Sequence, residues 1–386
     1  VAGLLLTPVP AAPALAHGGE APAGTNYRAR ITGTSPATPG VRVRVIEAGS
    51  RLELTSTSAR EIEVLGYENE PYLRITPDGV WENVNSAATY LNTSISTSTT
   101  IPPTAGPTVP PTWRKISDSP TVRWHDHRTY WMSDAPPPAV TADPTQPQRV
   151  RDWAVVLRDG VTPITVSGTL DWAPPPYAGT WWAAVVLTGA LVALLGLIRA
   201  RWTGPALALL SAAGGLAALA YTLGRELDAG NDTLGTALPA LLSTQLWPAL
   251  TGLGGLAAAA FALARRPSAD FALALAGVCI GVFVGLANAG ALVNSVVPAP
   301  WPPVVARVLD VLALGLGFGL MAAAVLRMRA AAMAATPAGP APAPTSGNAP
   351  TSGNAPASGD APAPVPARAH RSPLTLKAAL ENPDDD

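Results

Sequence analysis

Residues 17 to about 175 carry apolar and polar positions in alternation, in short runs such as "NYRARITGT", "VRVRVIEAG", "SRLELTS", "REIEVLGY" and "PYLRIT", separated by Gly, Pro, Ser or Asn clusters. Successive side chains of a strand point to opposite faces, so a period of two marks strands with one face buried and one solvated. "RDWAVVLRD" and "PITVSGTLDW", between 151 and 172, continue the series. Short strands at this spacing, with no helical run among them, predict an all-β antiparallel sandwich of immunoglobulin or cupredoxin type. Beyond "APPPYAGT" the pattern changes to five continuous apolar segments, at about 181–198, 204–223, 236–262, 271–296 and 304–326. Each is near the length a helix needs to cross a bilayer, which predicts an all-α five-helix transmembrane bundle within 176–333.

The remaining stretches are punctuation and ends. "VAGLLLTPVPAAPALA", residues 1–16, is apolar, too short to span a bilayer, and closes on the small-x-small pattern Ala14-Leu15-Ala16. It reads as the C-terminal part of a secretory signal peptide, and cleavage after Ala16 makes His17 the first residue of the mature chain. Two loops, "NTSISTSTTIPPTAGPTVPPT" from Asn92 and "APPPAVTADPTQPQ" from Ala135, are rich in Pro with Ser and Thr and predicted to be exposed. Residues 334–386, with the repeat "TSGNAP TSGNAP ASGDAP", are predicted to be a disordered tail.

Basic residues at the segment ends set an orientation. Arg199 and Arg201, Arg265 and Arg266, and Arg327 and Arg329 all fall on one side, whereas "RELDAGND" and "NSVVPAPWPP" on the other hold few positive charges. The positive-inside rule then places the β domain outside and the C-terminal tail in the cytoplasm, in agreement with a signal peptide. Tyr177, Trp181, Trp182 and Trp301 lie where an interfacial aromatic belt is expected. Gly277, Gly281 and Gly285 form two overlapping GxxxG spacings, expected to let another helix of the same bundle approach closely. These features predict a bacterial plasma-membrane protein in contact with the lipid bilayer, its bundle an anchor or a platform for another membrane protein.

Composition narrows the chemistry. The 386 residues are 48% hydrophobic and 13% charged with a formal net charge of -1, which gives no electrostatic reason to expect nucleic acid. A single cysteine, Cys279, excludes an internal disulfide and a Cys-based zinc knuckle. The sequence shows no Ser/His/Asp triad, phosphate loop or nucleotide fingerprint, so no enzymatic activity is predicted. Within the helices, Cys279 and Met321 are sparse for a copper channel, and Asp310 is the one acid expected within a helix, with Arg307 three residues before it near the outer interface, where the two can pair or snorkel. "EVLGYENEPYLRITPDGVWENV" carries many carboxylates, expected to lie on a solvated face.

Against this background "TVRWHDHRTYWM", Thr121 to Met132, holds two of the four histidines. In an extended chain His125 and His127 share a face and Asp126 opposes them, which offers two imidazole ligands from one short segment. His17, as a mature N-terminus, adds its amine and its ring as a chelate. A site rich in nitrogen suits Cu(II), which also stands above zinc in the Irving–Williams order, though imidazole suits zinc as well. Met132 would add a soft ligand, and Trp124 and Trp131 either a wall or core packing. His370 belongs to the tail and receives no role.

A signal-cleaved terminal histidine on an exported β-sandwich, followed by an Asp/His pair, resembles the histidine-brace copper proteins of the periplasmic CopC type. The resemblance implies copper ligation by His17 and His127 with Asp126, and a multi-helix membrane partner fused or associated. Here the order His125-Asp126-His127 leaves open whether His125 or Asp126 joins His127. The function these features predict is a membrane-anchored extracytoplasmic copper-binding protein for copper capture, delivery or homeostasis. The competing expectation is an interaction or assembly protein without a metal.

Overall fold

A computed structural model of the chain describes residues 24–93 and 100–335. The predicted signal segment with His17, and the predicted tail with His370, fall outside the described residues. Ten strands follow: β1 (Tyr27–Ser35), β2 (Val41–Ile46), β3 (Arg51–Ser56), β4 (Ile62–Leu65), β5 (Pro71–Thr76), β6 (Gly79–Asn83), β7 (Trp113–Ser117), β8 (Thr121–His125), β9 (Gln148–Asp159) and β10 (Thr162–Trp172). Two short helices, α1 (Ala87–Leu91) and α2 (Pro138–Ala142), interrupt them. The strands form one seven-stranded sheet in the order β1-β10-β9-β4-β5-β6-β7 and one three-stranded sheet in the order β2-β3-β8, and every pairing is antiparallel.

The alternation in the sequence becomes the core between the sheets. Leu52, Leu54, Val122 and Trp124 of the small sheet meet Ile62, Val64, Leu73, Ile75, Val155, Leu157, Ile164 and Val166 of the large one in one buried cluster. Burial at about 25 cal/mol per Å² of apolar surface makes this cluster the main stabilising term of the β region. Gly168 is needed where β10 passes Trp153, because a Cβ there would stand 2.0 Å from the indole.

Helices α3 (Ala178–Leu195), α4 (Thr203–Asp228), α5 (Leu234–Thr244), α6 (Leu246–Leu263), α7 (Ala269–Cys279) and α8 (Pro303–Ala335) complete the fold. Five helices are long and apolar enough to cross a membrane, α7 being counted through its π-helical continuation Ile280–Leu286. Several boundaries differ from the sequence expectation, including the fourth segment, whose helix ends at Leu286, and the fifth, which runs on to Ala335. The third apolar segment breaks at Gln245, because the ring of Pro248 opposes a continuous helix through the carbonyl of Thr244. Helix α4 runs on to Asp228, which brings Arg225, Glu226 and Asp228 into its last turn.

The glycine stripe packs inside the bundle, as expected. A Cβ at Gly277 would lie 2.6 Å from the Gly317 carbonyl oxygen, one at Gly281 2.9 Å from Phe318, and one at Gly285 2.6 Å from Leu314. All three face α8. Outer positions such as Leu187, Leu191 and Leu194 of α3 stay exposed to whatever surrounds the bundle, a surface suited to lipid.

The β region sits on the helices through polar contacts. Thr25 and Val296 exchange two backbone hydrogen bonds of 2.9 and 2.8 Å, and Ser295 donates to Asn26. The Glu53 carboxylate accepts from Arg44 at 2.6 Å and from Arg123 at 2.7 Å. Those arginines continue to the loop after α4: Arg44 reaches Asp232 at 2.5 Å and the Gly230 carbonyl at 2.9 Å. Between β2 and β3, Glu47 and Ala48 take φ of 53° and 55°, and the Ala48 amide then donates to Asp228 at 2.7 Å. Left-handed backbone at two successive non-glycine residues is strained, and this carboxylate contact is part of what holds it.

Candidate functional site

Strand β8 pairs with β3 so that His125 opposes Arg51. This register brings the imidazole beside the turn that enters β3. His125 Nδ1 lies 2.8 Å from the Ser50 carbonyl oxygen, and Arg51 Nε donates to His125 Nε2 at 3.1 Å. A carbonyl only accepts and a guanidinium only donates, so the two bonds together select the imidazole with its proton on Nδ1. The ring is 2% exposed. A metal at His125 Nε2 would have to displace Arg51.

The strand ends at His125, and the period of two ends with it. Asp126 is therefore not turned outward: it is 1% exposed and enclosed by donors. Arg128 grips it with Nε on Oδ1 at 2.8 Å and Nη2 on Oδ2 at 2.7 Å, the Arg128 amide reaches Oδ1 at 3.1 Å, and Trp124 Nε1 reaches Oδ2 at 3.1 Å. Burial opposes the Arg128 charge, yet the hydrogen bonds and charge of Asp126 outweigh it and hold the guanidinium above its ordinary value. Burial, then the Asp126 charge, push the Tyr67 phenol up from its ordinary value. Thr129 closes the turn by donating its amide and its hydroxyl to the Asp126 carbonyl, each at 2.9 Å.

His127 is held by its backbone. Its amide donates to the Tyr67 hydroxyl at 3.0 Å, and its carbonyl accepts from Arg151 Nη2 at 2.7 Å. The imidazole is part-exposed beside the Tyr67 ring, with centroids 6.0 Å apart and planes tilted by 42°. Trp124 is in the core, which answers the choice between wall and packing for that residue. Trp131 packs against the core edge and stacks on Tyr27 at 5.9 Å, and Met132 is part-exposed just beyond. The Tyr130 phenol lies near the Thr25 side chain. The turn therefore lies against the first described strand.

As a metal site the described residues are incomplete. Among them no three His, Cys, Asp or Glu side chains come together in a way that could hold an ion. His127 and Met132 are the part-exposed candidates, whereas His125 and Asp126 are buried in the bonds above. A brace at this turn requires His17, which falls outside the described residues.

Sequence reasoning missed the residues that shape the turn. Ser50, Arg51, Tyr67 and Arg151 come from the turn before β3, β3 itself, the segment after β4, and β9. Of the carboxylates expected on a solvated face, Glu68 and Asp78 are exposed, whereas Glu63 and Glu70 are corrected. Glu63 is buried between Arg158 and Arg74, and Glu70 is buried while accepting from the Ser86 hydroxyl at 2.7 Å. For Glu63 the signal is an arginine directly opposite on each neighbouring strand, Arg74 and Arg158, visible only once the register is known. Comparison with protein-family models, curated proteins and solved structures gives no match.

Proposed function

We propose that the protein binds copper as cargo at the outer face of a bacterial plasma membrane, with a β domain of immunoglobulin or cupredoxin sandwich type held on the membrane bundle and the C-terminus cytoplasmic. The observation that supports this reading is the place of the His127 turn beside the beginning of the described chain. Tyr27 stacks on Trp131, and Thr25 lies near Tyr130. His17 stands seven positions before Gly24, a reach of roughly 23–25 Å when extended. The amine and ring of His17 can then meet the part-exposed imidazole of His127, with Met132 as a soft ligand for Cu(I). His125 and Asp126 act in this reading by fixing the turn rather than by ligation.

The test is copper titration of the full chain carrying His17 as its true first residue, with zinc as the competing ion. One added N-terminal residue and His127→Ala should each weaken Cu(II) binding by about 100-fold, since each removes a ligand of a chelate. Binding unchanged in both variants would end the brace reading. A second reading, an assembly protein whose histidines are structural, draws on the internal bonds of His125 and Asp126. It predicts no stoichiometric copper or zinc in the purified full chain.

A further inference from the structure

Of the two outcomes that their spacing allowed, pairing or snorkelling, Arg307 does not pair with Asp310. Its guanidinium donates to the Ala291 and Asn294 carbonyls at 3.0 and 2.8 Å and lies over the Trp181 ring. Asp310, in α8, is 0% exposed, and neither of its carboxylate oxygens has a hydrogen-bond partner. Two further buried polar atoms lack partners in the same region, the Tyr221 hydroxyl on α4 and the Trp301 indole N–H before α8. Tyr221 and Trp301 pack in one cluster with Ala306 and Ala313 of α8, and Tyr221 lies within electrostatic reach of Asp310.

The three unmet groups are complementary. Tyr221 and Trp301 bring donors and Asp310 brings acceptors, the combination that a bridging water needs. A buried carboxylate in a membrane helix is costly unless its charge is met, and such a residue is by default a candidate for function. The charged groups around it are committed elsewhere. Arg225 of α4 donates to Asn288 at 3.0 Å, Asp228 of α4 accepts from the Ala48 amide, and Arg307 is held as above. Helices α3 and α6 carry no charged residue, and Asp270 at the far end of α7 is paired with Arg327. Trp301 also lines a cleft of about 270 Å³ at the junction of the β region and the bundle, together with Arg28, Ala48, Asp228 and Val297. Trp301 thus borders both that cleft and the Tyr221 cluster.

We propose that Asp310, Tyr221 and Trp301 form an internal proton-binding site, reached from this cleft past Trp301. A hydronium ion in the cleft gives its proton to an Asp310 oxygen and leaves as water, and release reverses the step. A metal cation fits poorly: hard cations take about six oxygen ligands, whereas here a carboxylate and one phenol oxygen face an indole N–H that repels positive charge. The site is independent of the copper reading.

Infrared difference spectroscopy of the full chain in lipid nanodiscs, stepped between mildly acidic and mildly alkaline pH, tests this. A protonated-carboxyl band should rise and fall with pH, vanish in Asp310→Asn, and titrate with its midpoint displaced in Tyr221→Phe by about tenfold in proton affinity, the loss of one hydrogen bond of about 1.4 kcal/mol. A band unchanged by Asp310→Asn, one that does not respond to pH, or one removed by sodium at fixed pH would overturn the proposal. Should Asp310→Asn fail to fold, Tyr221→Phe and Trp301→Phe decide. A displaced titration in either supports the site, and none in both overturns it.

Discussion

One aspartate separates His125 from His127, yet the two imidazoles have different surroundings because β8 ends between them. His125 completes the turn into β3 through Ser50, which is itself buried, and through Arg51. Asp126 is fully enclosed, with the Arg128 side chain, the Arg128 amide and the Trp124 indole all donating to it. Replacing Asp126 by Asn leaves the guanidinium of Arg128 without its counter-charge, and removing one partner of a buried ion pair costs about 3–5 kcal/mol. Because the Arg128 side chain keeps 22% exposure, the lower end applies. His125→Ala strands one buried carbonyl, a loss of about 1–3 kcal/mol. His127 keeps its backbone bonds to Tyr67 and Arg151 in any variant, so His127→Ala should cost less than about 1 kcal/mol. Denaturant unfolding of the full chain in micelles orders the three. An effect of His127→Ala equal to that of Asp126→Asn would contradict this division of roles.

The strands and spans were largely legible because their patterns are local. "PYLRIT" and "PITVSGTLDW" became β5 and β10 within a residue of the alternation, since a half-buried strand needs only its own residues to show a period. "GVWEN" and "WRKIS", now β6 and β7, are too short and too charged to show one. The break at Gln245 was hidden because both sides of it are apolar. The bonds that shape the His turn were not legible, as Ser50 and Tyr67 lie 75 and 60 residues from their partners. By contrast the glycine stripe of α7 and its continuation could be read in advance, and it carries its own prediction. Gly277 faces the Gly317 carbonyl and Gly317 faces the Gly281 amide, so neither helix can withdraw without losing the other. Gly281→Leu should force α7 from α8 at a cost of about 1–3 kcal/mol or more. Gly204, with open space at its Cβ position, should accept Ala with little change. Thermal unfolding of both variants in nanodiscs checks the contrast, and equal destabilisation would refute it.

The β region and the helices are joined by charge as well as by backbone, and Glu53 is the hinge of that junction. It is buried in β3, yet two arginines bind it, one on each carboxylate oxygen. With its charge in place, Arg44 and Arg123 keep enough donors to reach Asp232, the Gly230 carbonyl and Asn231 in the loop after α4. The loop meets them at Gly230 with φ of 90°, and a Cβ there would stand 2.6 Å from Glu53 Oε2 and 2.8 Å from Arg44 Nη2. The exposed outer pair, Arg44 with Asp232, contributes little by itself, on the order of 0.2–1 kcal/mol. The buried acid is different, because Glu53→Gln leaves two guanidinium groups competing for the remaining acceptors. That substitution should lower stability by about 3 kcal/mol. It should also act locally. Hydrogen exchange should quicken at the Ala48 amide, which Asp228 holds from the helix side, and in the small sheet, while Leu157 and Ile164 in the large sheet keep their protection. Gly230→Ala should reproduce the same pattern from the other side of the contact. If both variants instead loosen the large sheet equally, the junction is not a separable element, and the two parts unfold as one.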